Sequence, residues 1–529
     1  GLLSELALQR LDGTWVESTQ WHVFFSLEKG RLSATADGLL PQDFKAIRFR
    51  VGLDGKTDKS DPGTWPPEYP LHPDVCGLHW GWNSGYVFLA VEGHWERAGT
   101  QSGFSYHLAG ASKPMMVEIP VQFSGAGPTT IFLGLDLAEI MESGSVLEKA
   151  TSTHSRDGDK IGEEMKGRVS RAFRLKGVVK DIYRDAEPRR APEVVRSTKA
   201  TPLRFTASER LPQVTLPKDN PLTIEGVELG RRLFHEPRLS RNDAQSCASC
   251  HDQARAFTDG QKASQGVSGE RGRRNAMPLA NLAWQKNFFW DGRANSLREQ
   301  VLAPIQAAHE MNETLERVVA KLEKDPEYVR QFKQAFGQER ITASNMALAL
   351  EQFLLTLVSQ ESKFDQAARK LTTLTSQELK GLQLFVTEYD PARGLRGADC
   401  FHCHGGNLFS NHQFLNNGLE ERAGDGGRMD VTGSEGDRGK FKVPTLRNVA
   451  LTGPYMHDGR FATLQEVVEH YNGRLYRSRN LDPNLAKHPE AGLGLTAEDK
   501  AALVAFLKTL TDEVFVGSRT NPHEFSQNK

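Results

Sequence analysis

Two copies of the pattern Cys-x-x-Cys-His constrain this chain more than any other feature. They span Cys247–His251 and Cys400–His404. A c-type haem needs two thiols about one helical turn apart, which form thioethers with its vinyl groups, and an imidazole beside the second thiol to bind the iron. We therefore predict two covalently attached haems, held by Cys247, Cys250 and His251, and by Cys400, Cys403 and His404.

A pair of zinc or redox sites is the alternative interpretation of these motifs. Two copies, each with the adjacent histidine, in a chain of only five cysteines favour haem. The fifth thiol, Cys76, has no partner left, which excludes a disulfide scaffold. Haem attachment of this kind occurs outside the cytosol, and the sequence starts at Gly1 without a methionine. We expect a periplasmic protein whose signal peptide has been removed.

Composition excludes several classes of protein. Hydrophobic residues make up 38% and charged residues 25% of the 529 residues, as in ordinary globular proteins. The formal net charge is −1 and no dense basic stripe occurs, so we expect no nucleic-acid partner. The longest apolar stretch, around Met346–Val358, contains Glu351 and Gln352. It is far shorter than the ~20 apolar residues of a membrane span, so we predict no such span.

The pattern along the chain predicts a multidomain protein. An N-terminal all-β, sandwich-like domain is expected over residues 1–176, because short β-type runs alternate there with turn residues. Residues 177–220 are rich in Pro, Arg and Glu and predict a linker. Helical periodicity then dominates, and predicts two mainly α-helical cytochrome c-type domains over 221–375 and 376–529. The expected helices are 222–234, 296–308, 314–336, 342–368, 376–388, 463–471 and 496–510.

From Asn220 to about Phe515 the chain resembles the superfamily of bacterial di-haem cytochrome c peroxidases and MauG. The matching motifs are Gly230–Phe234, Leu239–Ser240, Phe289–Arg293, Glu310–Met311, Val443–Val449 and Gly453–Arg460. The resemblance implies that Gln300, Pro304 and Glu310 form the distal pocket of the first, peroxide-binding haem. Glu310 would be its general acid–base. Trp290 would pass electrons between the haems. An inter-haem Ca²⁺ would bind to Asn275, Thr452 and Pro454.

At two positions the chain departs from the pattern of the classical peroxidases, and these positions indicate which branch of the superfamily it resembles. Classical peroxidases cap the first haem with a histidine at the position of Val267, so the first haem should be open to peroxide without prior reduction. The position of their methionine ligand to the second haem is occupied here by Tyr471, and tyrosine is the ligand type of MauG. Met456 is the competing ligand. A phenolate oxygen should lower the potential of the second haem and let it share oxidising equivalents.

The N-terminal region resembles the MbnP family, the copper-binding partners of the MauG-like enzymes called MbnH. The motifs are Phe49–Asp54, Gly77–Tyr86, Glu92-Gly93 and Tyr106–Gly110. In that family the di-haem partner oxidises a tryptophan to kynurenine at a copper site. The resemblance implies Trp80 or Trp82 as the modified residue, and the candidate copper ligands are His72, His79, His94 and His107. Ordinary surface histidines remain the alternative, and Cys76 is either a soft ligand or a buried thiol.

Three functions follow from this pattern. The first is a self-contained enzyme in which peroxide oxidises a tryptophan of the fused copper-binding domain. The second is a peroxidase that reduces peroxide with electrons from a donor protein, which Val267 and Tyr471 disfavour. The third is a copper-binding or delivery protein to which the haem half is an accessory.

Overall fold

The structure is a computed structural model that describes residues 1–18, 20–28, 30–36, 42–79, 85–97, 100–110, 114–124, 129–155, 159–180, 200–390, 394–421 and 424–517. Contacts divide the chain into two units. The N-terminal unit is Gly1–Arg190 with Asp482–His488, and the haem-binding unit is Ala191–Leu481 with Pro489–Lys529. No helix among the described residues is long and apolar enough to cross a membrane.

The N-terminal unit is built on β-sheets, as the sequence predicts. One sheet has the order β2-β1-β4-β7, with β3 also paired to β1; a second has the order β5-β6-β9, and β8 pairs with β10. The strands are β1 (Leu2–Arg10), β2 (Trp15–Glu17), β3 (His22–Phe24), β4 (Asp43–Val51), β5 (Val87–Arg97), β6 (Thr100–Ala109), β7 (Met115–Ser124), β8 (Thr129–Leu135), β9 (Ser152–Thr153) and β10 (Phe173–Lys180). The helices are α1 (Gly55–Asp58), α2 (Pro73–Cys76), α3 (Leu137–Ile140), α4 (Ser145–Lys149), α5 (Lys160–Ala172) and α17 (Pro483–Ala486).

Alternation of side chains explains how these strands enclose a core. In β7, Met115, Val117, Ile119 and Val121 are buried while Glu118 between them is exposed, because successive side chains of a strand point to opposite faces. Apolar residues from both larger sheets and from helix α5 join one hydrophobic cluster. The packing of α5 on this cluster stabilises the sheets.

Helices dominate the haem-binding unit. They are α6 (Ile224–Phe234), α7 (Cys247–Cys250), α8 (Leu297–Gln306), α9 (Leu315–Leu322), α10 (Pro326–Phe336), α11 (Ala343–Leu355), α12 (Lys363–Ala368), α13 (Ser376–Val386), α14 (Phe401–His404), α15 (Met429–Thr432), α16 (Leu464–Gly473), α18 (Ala497–Lys508) and α19 (Glu513–Gly517). Two short hairpins accompany them, formed by β11 (Tyr389–Asp390) with β12 (Leu395–Arg396), and by β13 (Phe414–Leu415) with β14 (Phe441–Lys442).

The same helix–helix contact occurs twice in this unit. Gly230 of α6 lies against Ala349 of α11, and Gly381 of α13 lies against Ala502 of α18. In each pair a β-carbon on the glycine would overlap the alanine carbonyl, so only glycine permits the close approach. Ala502 follows Ala349 by 153 residues, the same interval that separates the two Cys-x-x-Cys-His motifs. Each haem motif therefore lies, in sequence, between the two helices of an equivalent packed pair.

Local chemistry ends two of the predicted helices earlier than expected. The helix predicted over 314–336 is divided into α9 and α10, because Asp325 caps a new helix whose first residue is Pro326. The helix predicted over 342–368 is divided into α11 and α12, and Ser362 begins α12 in a capping box with Asp365.

The predicted linker over 177–220 differs from the structure at both ends. Residues 177–180 complete strand β10, which pairs with β8. Residues 200–220 pack on the haem-binding unit: Leu211 is buried, and the amide of Asn220 donates to Glu351. Only residues 181–199 lie outside the described part of the chain in this stretch. Within 200–220 the described backbone is mostly irregular, and the Pro-rich and charged composition does not reveal the burial of the apolar side chains there.

Candidate functional site

The first haem motif is the short helix α7, which begins at a capping box between Ser246 and Ser249. His251 follows it, and its Nδ1 lies 2.8 Å from the carbonyl oxygen of Phe257. An imidazole that donates through Nδ1 keeps its Nε2 as a metal ligand. Burial lowers the pKa of His251, which favours the neutral ring that binds a metal. These residues fit a c-type haem.

The second motif repeats this arrangement. Cys400 begins helix α14, and Nδ1 of His404 lies 3.1 Å from the carbonyl oxygen of Phe409. Burial lowers the pKa of His404 to about 4. Both imidazoles are therefore oriented by a backbone carbonyl a few residues further on, with the same ring nitrogen left for iron, so this motif also fits a c-type haem.

The segment that carries Val267 lies directly against Glu310. The backbone N–H of Val267 donates to the Glu310 carbonyl over 2.8 Å, and a β-carbon at Gly266 would overlap the carbonyl of His309. Burial raises the pKa of Glu310, against the opposing charges of His309 and Arg293. A carboxyl group with a raised pKa suits proton transfer near neutral pH.

The other two residues of the predicted distal pocket are on helix α8, which contains Pro304. Gln300 and Pro304 are four residues apart and therefore share one helix face. The Pro304 carbonyl accepts a bond from the N–H of Met311 over 3.2 Å, which ties α8 to the residue after Glu310.

Trp290 is buried between segments that flank both haem motifs. Its ring N–H donates to the Asn275 carbonyl over 2.9 Å, and its own carbonyl accepts from the N–H of Lys442 over 2.8 Å. Asn275 follows the first motif in the chain and Lys442 follows the second. Burial lowers the pKa of Lys442 to about 7.

The residues predicted to bind calcium are partly brought together. The backbone N–H of Asn275 donates to the His457 carbonyl over 2.7 Å, which holds Asn275 beside the loop that carries Thr452 and Pro454. The amide nitrogen of Asn275 donates to the Gln261 carbonyl over 2.7 Å. Because the amide nitrogen makes this bond, the amide oxygen of Asn275 points away from the Gln261 carbonyl. An amide oxygen is a ligand suited to Ca²⁺.

Both candidate ligands of the second haem contact one side chain. The amide nitrogen of Asn417 lies 3.3 Å from the Tyr471 hydroxyl and 3.4 Å from the Met456 sulfur. Tyr471 is on helix α16, and Met456 is in the Gly453–Arg460 loop with a positive φ of 75°. An amide N–H that donates to a phenol oxygen favours its anionic form. Asn417 was not anticipated from the sequence, since no local pattern marks it.

In the N-terminal unit, the structure places His107 next to a histidine that sequence reasoning missed. Nδ1 of His107 lies 3.0 Å from Nε2 of His154, and the two rings are edge to face. Nε2 of His107 lies 2.6 Å from the Glu92 carboxylate. Glu92 is on β5 and His107 is on β6; His154 directly follows β9, which runs parallel to β6. His107 and His154 are 5% and 2% exposed.

The other predicted copper ligands are more widely distributed. His94 pairs with Gly103 and His107 with Ala90, so their backbones are four residues apart along the ladder, about 13 Å. His72 is buried next to α2, and the ring of His79 lies 4.7 Å from that of Tyr86. Burial lowers the pKa of His79 to about 4. Trp80 and Trp82 lie outside the described residues.

Two family models match the chain. The MbnP model matches residues 2–155, and the model of the di-haem cytochrome c peroxidases, CCP_MauG, matches residues 224–373. Cytochrome c551 peroxidase of Nitrosomonas europaea is 37% identical over 301 residues, which cover 55% of this chain and 82% of that protein. The chain belongs to the di-haem cytochrome c peroxidase and MauG family. Its N-terminal part is an MbnP domain.

Further relatives support the assignment of this chain to the family. Methylamine utilization protein MauG of Methylorubrum extorquens is 36% identical over 313 residues, which cover 59% of this chain and 84% of that protein. A crystal structure of a MauG-like protein associated with microbial copper homeostasis superposes with a TM-score of 0.55 and 34% identity, covering 60% of this chain and 98% of that one. The family implies a peroxide-dependent oxidoreductase with two c-type haems, which confirms the predicted class and the β-plus-α domain order.

Proposed function

We propose that this di-haem peroxidase uses peroxide to oxidise a tryptophan of its own MbnP domain, Trp80 or Trp82, to kynurenine, and that the modified domain binds copper. The observation that carries this proposal is the presence of an MbnP domain and a MauG-type oxidoreductase in one polypeptide. An oxidant fused to the domain that it modifies is at high effective concentration and needs no separate recognition surface.

Haem bound through His251 would supply the cleavage of the peroxide O–O bond. Glu310 is the proposed group that moves the proton from one peroxide oxygen to the other; its raised carboxyl pKa and the backbone bond between Glu310 and Val267 support this role. Val267 cannot bind iron, so this side stays open to peroxide. Gln300 and Pro304 on α8 are the other proposed residues of the distal pocket, and the bond from the Met311 N–H to the Pro304 carbonyl supports their place near Glu310.

Trp290 is the proposed electron carrier between the two haems, since its hydrogen bonds join a segment that follows the first haem motif to a segment that follows the second. Tyr471 is the proposed distal ligand of the second haem, with Asn417 stabilising its phenolate. Conversion of one tryptophan to kynurenine removes four electrons and releases formate. Two peroxide molecules accept those four electrons together with four protons and become four waters. Two waters supply the two oxygen atoms of the formyl intermediate and release the four protons, and a further water hydrolyses that intermediate to kynurenine and formate.

For copper we propose a site that contains His107 and His154. Their facing nitrogens are 3.0 Å apart, which is close to the separation of two ligands on one metal ion. The Glu92 carboxylate accepts from Nε2 of His107 and so favours Nδ1 as the ligand. Copper content of His107→Asn and His154→Asn tests this, with His94→Asn as the matched control on the same sheet. Equal copper content in all three variants would show that His107 and His154 are not the copper ligands.

Two further features belong to the proposal. Asn275, Thr452 and Pro454 would hold a Ca²⁺ that fixes the loop before His457. The protein would act in the periplasm, because haem attachment to Cys-x-x-Cys-His takes place there. Removal of calcium by a chelator should alter the absorption of the haems, and addition of Ca²⁺ should restore it.

The oxidation itself is tested by peptide mapping of the holoprotein. The segment that contains Trp80 and Trp82 should gain about 4 Da in the wild type and stay unmodified in Glu310→Gln. A mixture of the doubly substituted Trp80→Phe/Trp82→Phe enzyme with the Glu310→Gln chain distinguishes the routes: modification of the latter chain shows reaction between molecules. If peroxide is consumed only with an added electron donor and the segment never changes, the peroxidase function replaces this proposal.

A further inference from the structure

A cluster of possible metal ligands lies in the haem-binding unit, at the base of the β11–β12 hairpin. Its members are Glu388, Asp399 and His402, whose ligand atoms all lie within 4.8 Å of one another. Glu388 and Asp399 are 1% and 5% exposed, and the His402 side chain is 5% exposed. We propose that this cluster binds a divalent transition metal ion, for which zinc is the probe.

The backbone brings these donors together from both ends of the hairpin. The N–H of Gly397 donates to the Glu388 carbonyl over 3.0 Å, and the N–H of Asp399 donates to the Thr387 carbonyl over 3.2 Å. A β-carbon at Gly397 would overlap the Thr387 carbonyl. Glycine is thus required for the two chain segments to approach, and their approach places the two carboxylates side by side.

Asp399 is held in one orientation. Its backbone adopts a positive φ of 54°, and its Oδ1 accepts from the N–H of Tyr389 over 2.9 Å. The Nε2 atom of His402 lies 3.9 Å from that same oxygen. This separation is too long for a hydrogen bond, but two ligands at about 2.1 Å from one metal ion lie about 3–4 Å apart.

The imidazole of His402 is distinct from the haem ligand. It occupies a variable position of the second Cys-x-x-Cys-His motif, two residues before His404. Residues two apart on a helix point to nearly opposite sides, about 200° around the axis, so the two rings serve different environments. One imidazole with two carboxylates is a donor set that suits zinc and neighbouring divalent metals.

The inferred role of the ion is structural. It would link the base of the hairpin to helix α14, next to Cys403, and so hold in place the chain segment that leads into the second haem motif. This inference does not depend on peroxide chemistry or on the modified tryptophan. Its failure would therefore leave the proposed function standing, and the reverse also holds.

The test is the zinc content of the holoprotein after chelation, equilibration with Zn²⁺ and gel filtration. All variants are made in the His107→Asn/His154→Asn background, so that zinc at those histidines does not contribute. We expect about one zinc per chain in this background and in Glu313→Gln, which changes a buried carboxylate paired with Lys321 outside the cluster. Asp399→Asn and His402→Gln should weaken zinc binding at least ~10-fold.

The two test variants are chosen to keep the fold. Asparagine tolerates a positive φ and keeps the oxygen that accepts from Tyr389, and haem content reports whether the second motif still matures. X-ray absorption at the zinc edge should show one imidazole and oxygen ligands at about 2.0–2.1 Å. Zinc bound equally by Asp399→Asn, His402→Gln and Glu313→Gln, or no zinc retained by any of them, would overturn the inference.

Discussion

The side-chain amide of Asn417 lies 3.3 Å from the hydroxyl of Tyr471. The same nitrogen lies 3.4 Å from the sulfur of Met456, so the two possible ligands of the second haem meet at one donor. The Asn417 N–H favours an anionic oxygen over a neutral thioether, because hydrogen bonds to the charged form stabilise it. This relationship supports Tyr471 as the ligand and makes the choice testable.

Replacement of Tyr471 should raise the reduction potential of the second haem. Tyr471→Met substitutes a thioether for a phenolate, and thioether ligation raises haem potentials. Met456→Leu should leave the potential and the spectrum of this haem unchanged. Redox titration with magnetic circular dichroism measures both. A large shift in Met456→Leu with none in Tyr471→Met would assign the ligand to Met456 instead.

Removal of Trp290 should slow electron transfer between the haems without blocking the reaction with peroxide. Trp290→Phe is expected to delay the response of the second haem at least ~10-fold in stopped-flow absorption, since an oxidisable ring is lost. Trp284→Phe is the matched control: Trp284 is also buried, and its ring N–H also donates to a backbone carbonyl, that of Pro212, over 2.7 Å. Equal delays in both variants would indicate a structural effect.

Glu310→Gln should lower the rate of peroxide cleavage by about 10²–10⁴-fold, the usual contribution of a general acid–base. Burial raises the pKa of Glu310, and only its ionised form accepts a proton. The wild-type rate should therefore fall as the pH is lowered through this raised pKa, and the fall should be absent in Glu310→Gln. A rate profile that is identical in shape in both proteins would assign the pH dependence to another group.

The buried ion pair between Arg447 and Asp365 should be essential for stability. The guanidinium donates to both carboxylate oxygens, over 2.8 and 3.0 Å, and Arg447 is 1% exposed. Arg447→Met leaves a buried carboxylate without its partner and should cost about 3–5 kcal/mol of unfolding free energy. Arg330→Met, which removes the exposed pair with Glu327, should cost far less. Denaturant titration of both holoproteins provides the comparison.

Features encoded by short stretches of sequence could be predicted. The haem motifs are contiguous, and the helices expected to start near residues 342, 376 and 496 begin at Ala343, Ser376 and Ala497, each after a capping threonine. The contact between His107 and His154 could not be predicted, because it depends on parallel pairing of β6 with β9 across 47 residues. Burial in the stretch 200–220 also depends on distant partners: Asn220 bonds Glu351, 131 residues away.

The most direct test of the central claim is a peroxide titration of the holoprotein, without any electron donor, followed by intact mass and formate. The account predicts a gain of about 4 Da per chain after about two equivalents of peroxide, with about one formate released. Peroxide consumed with neither mass change nor formate would contradict it, because the electrons would then not come from a tryptophan of this chain.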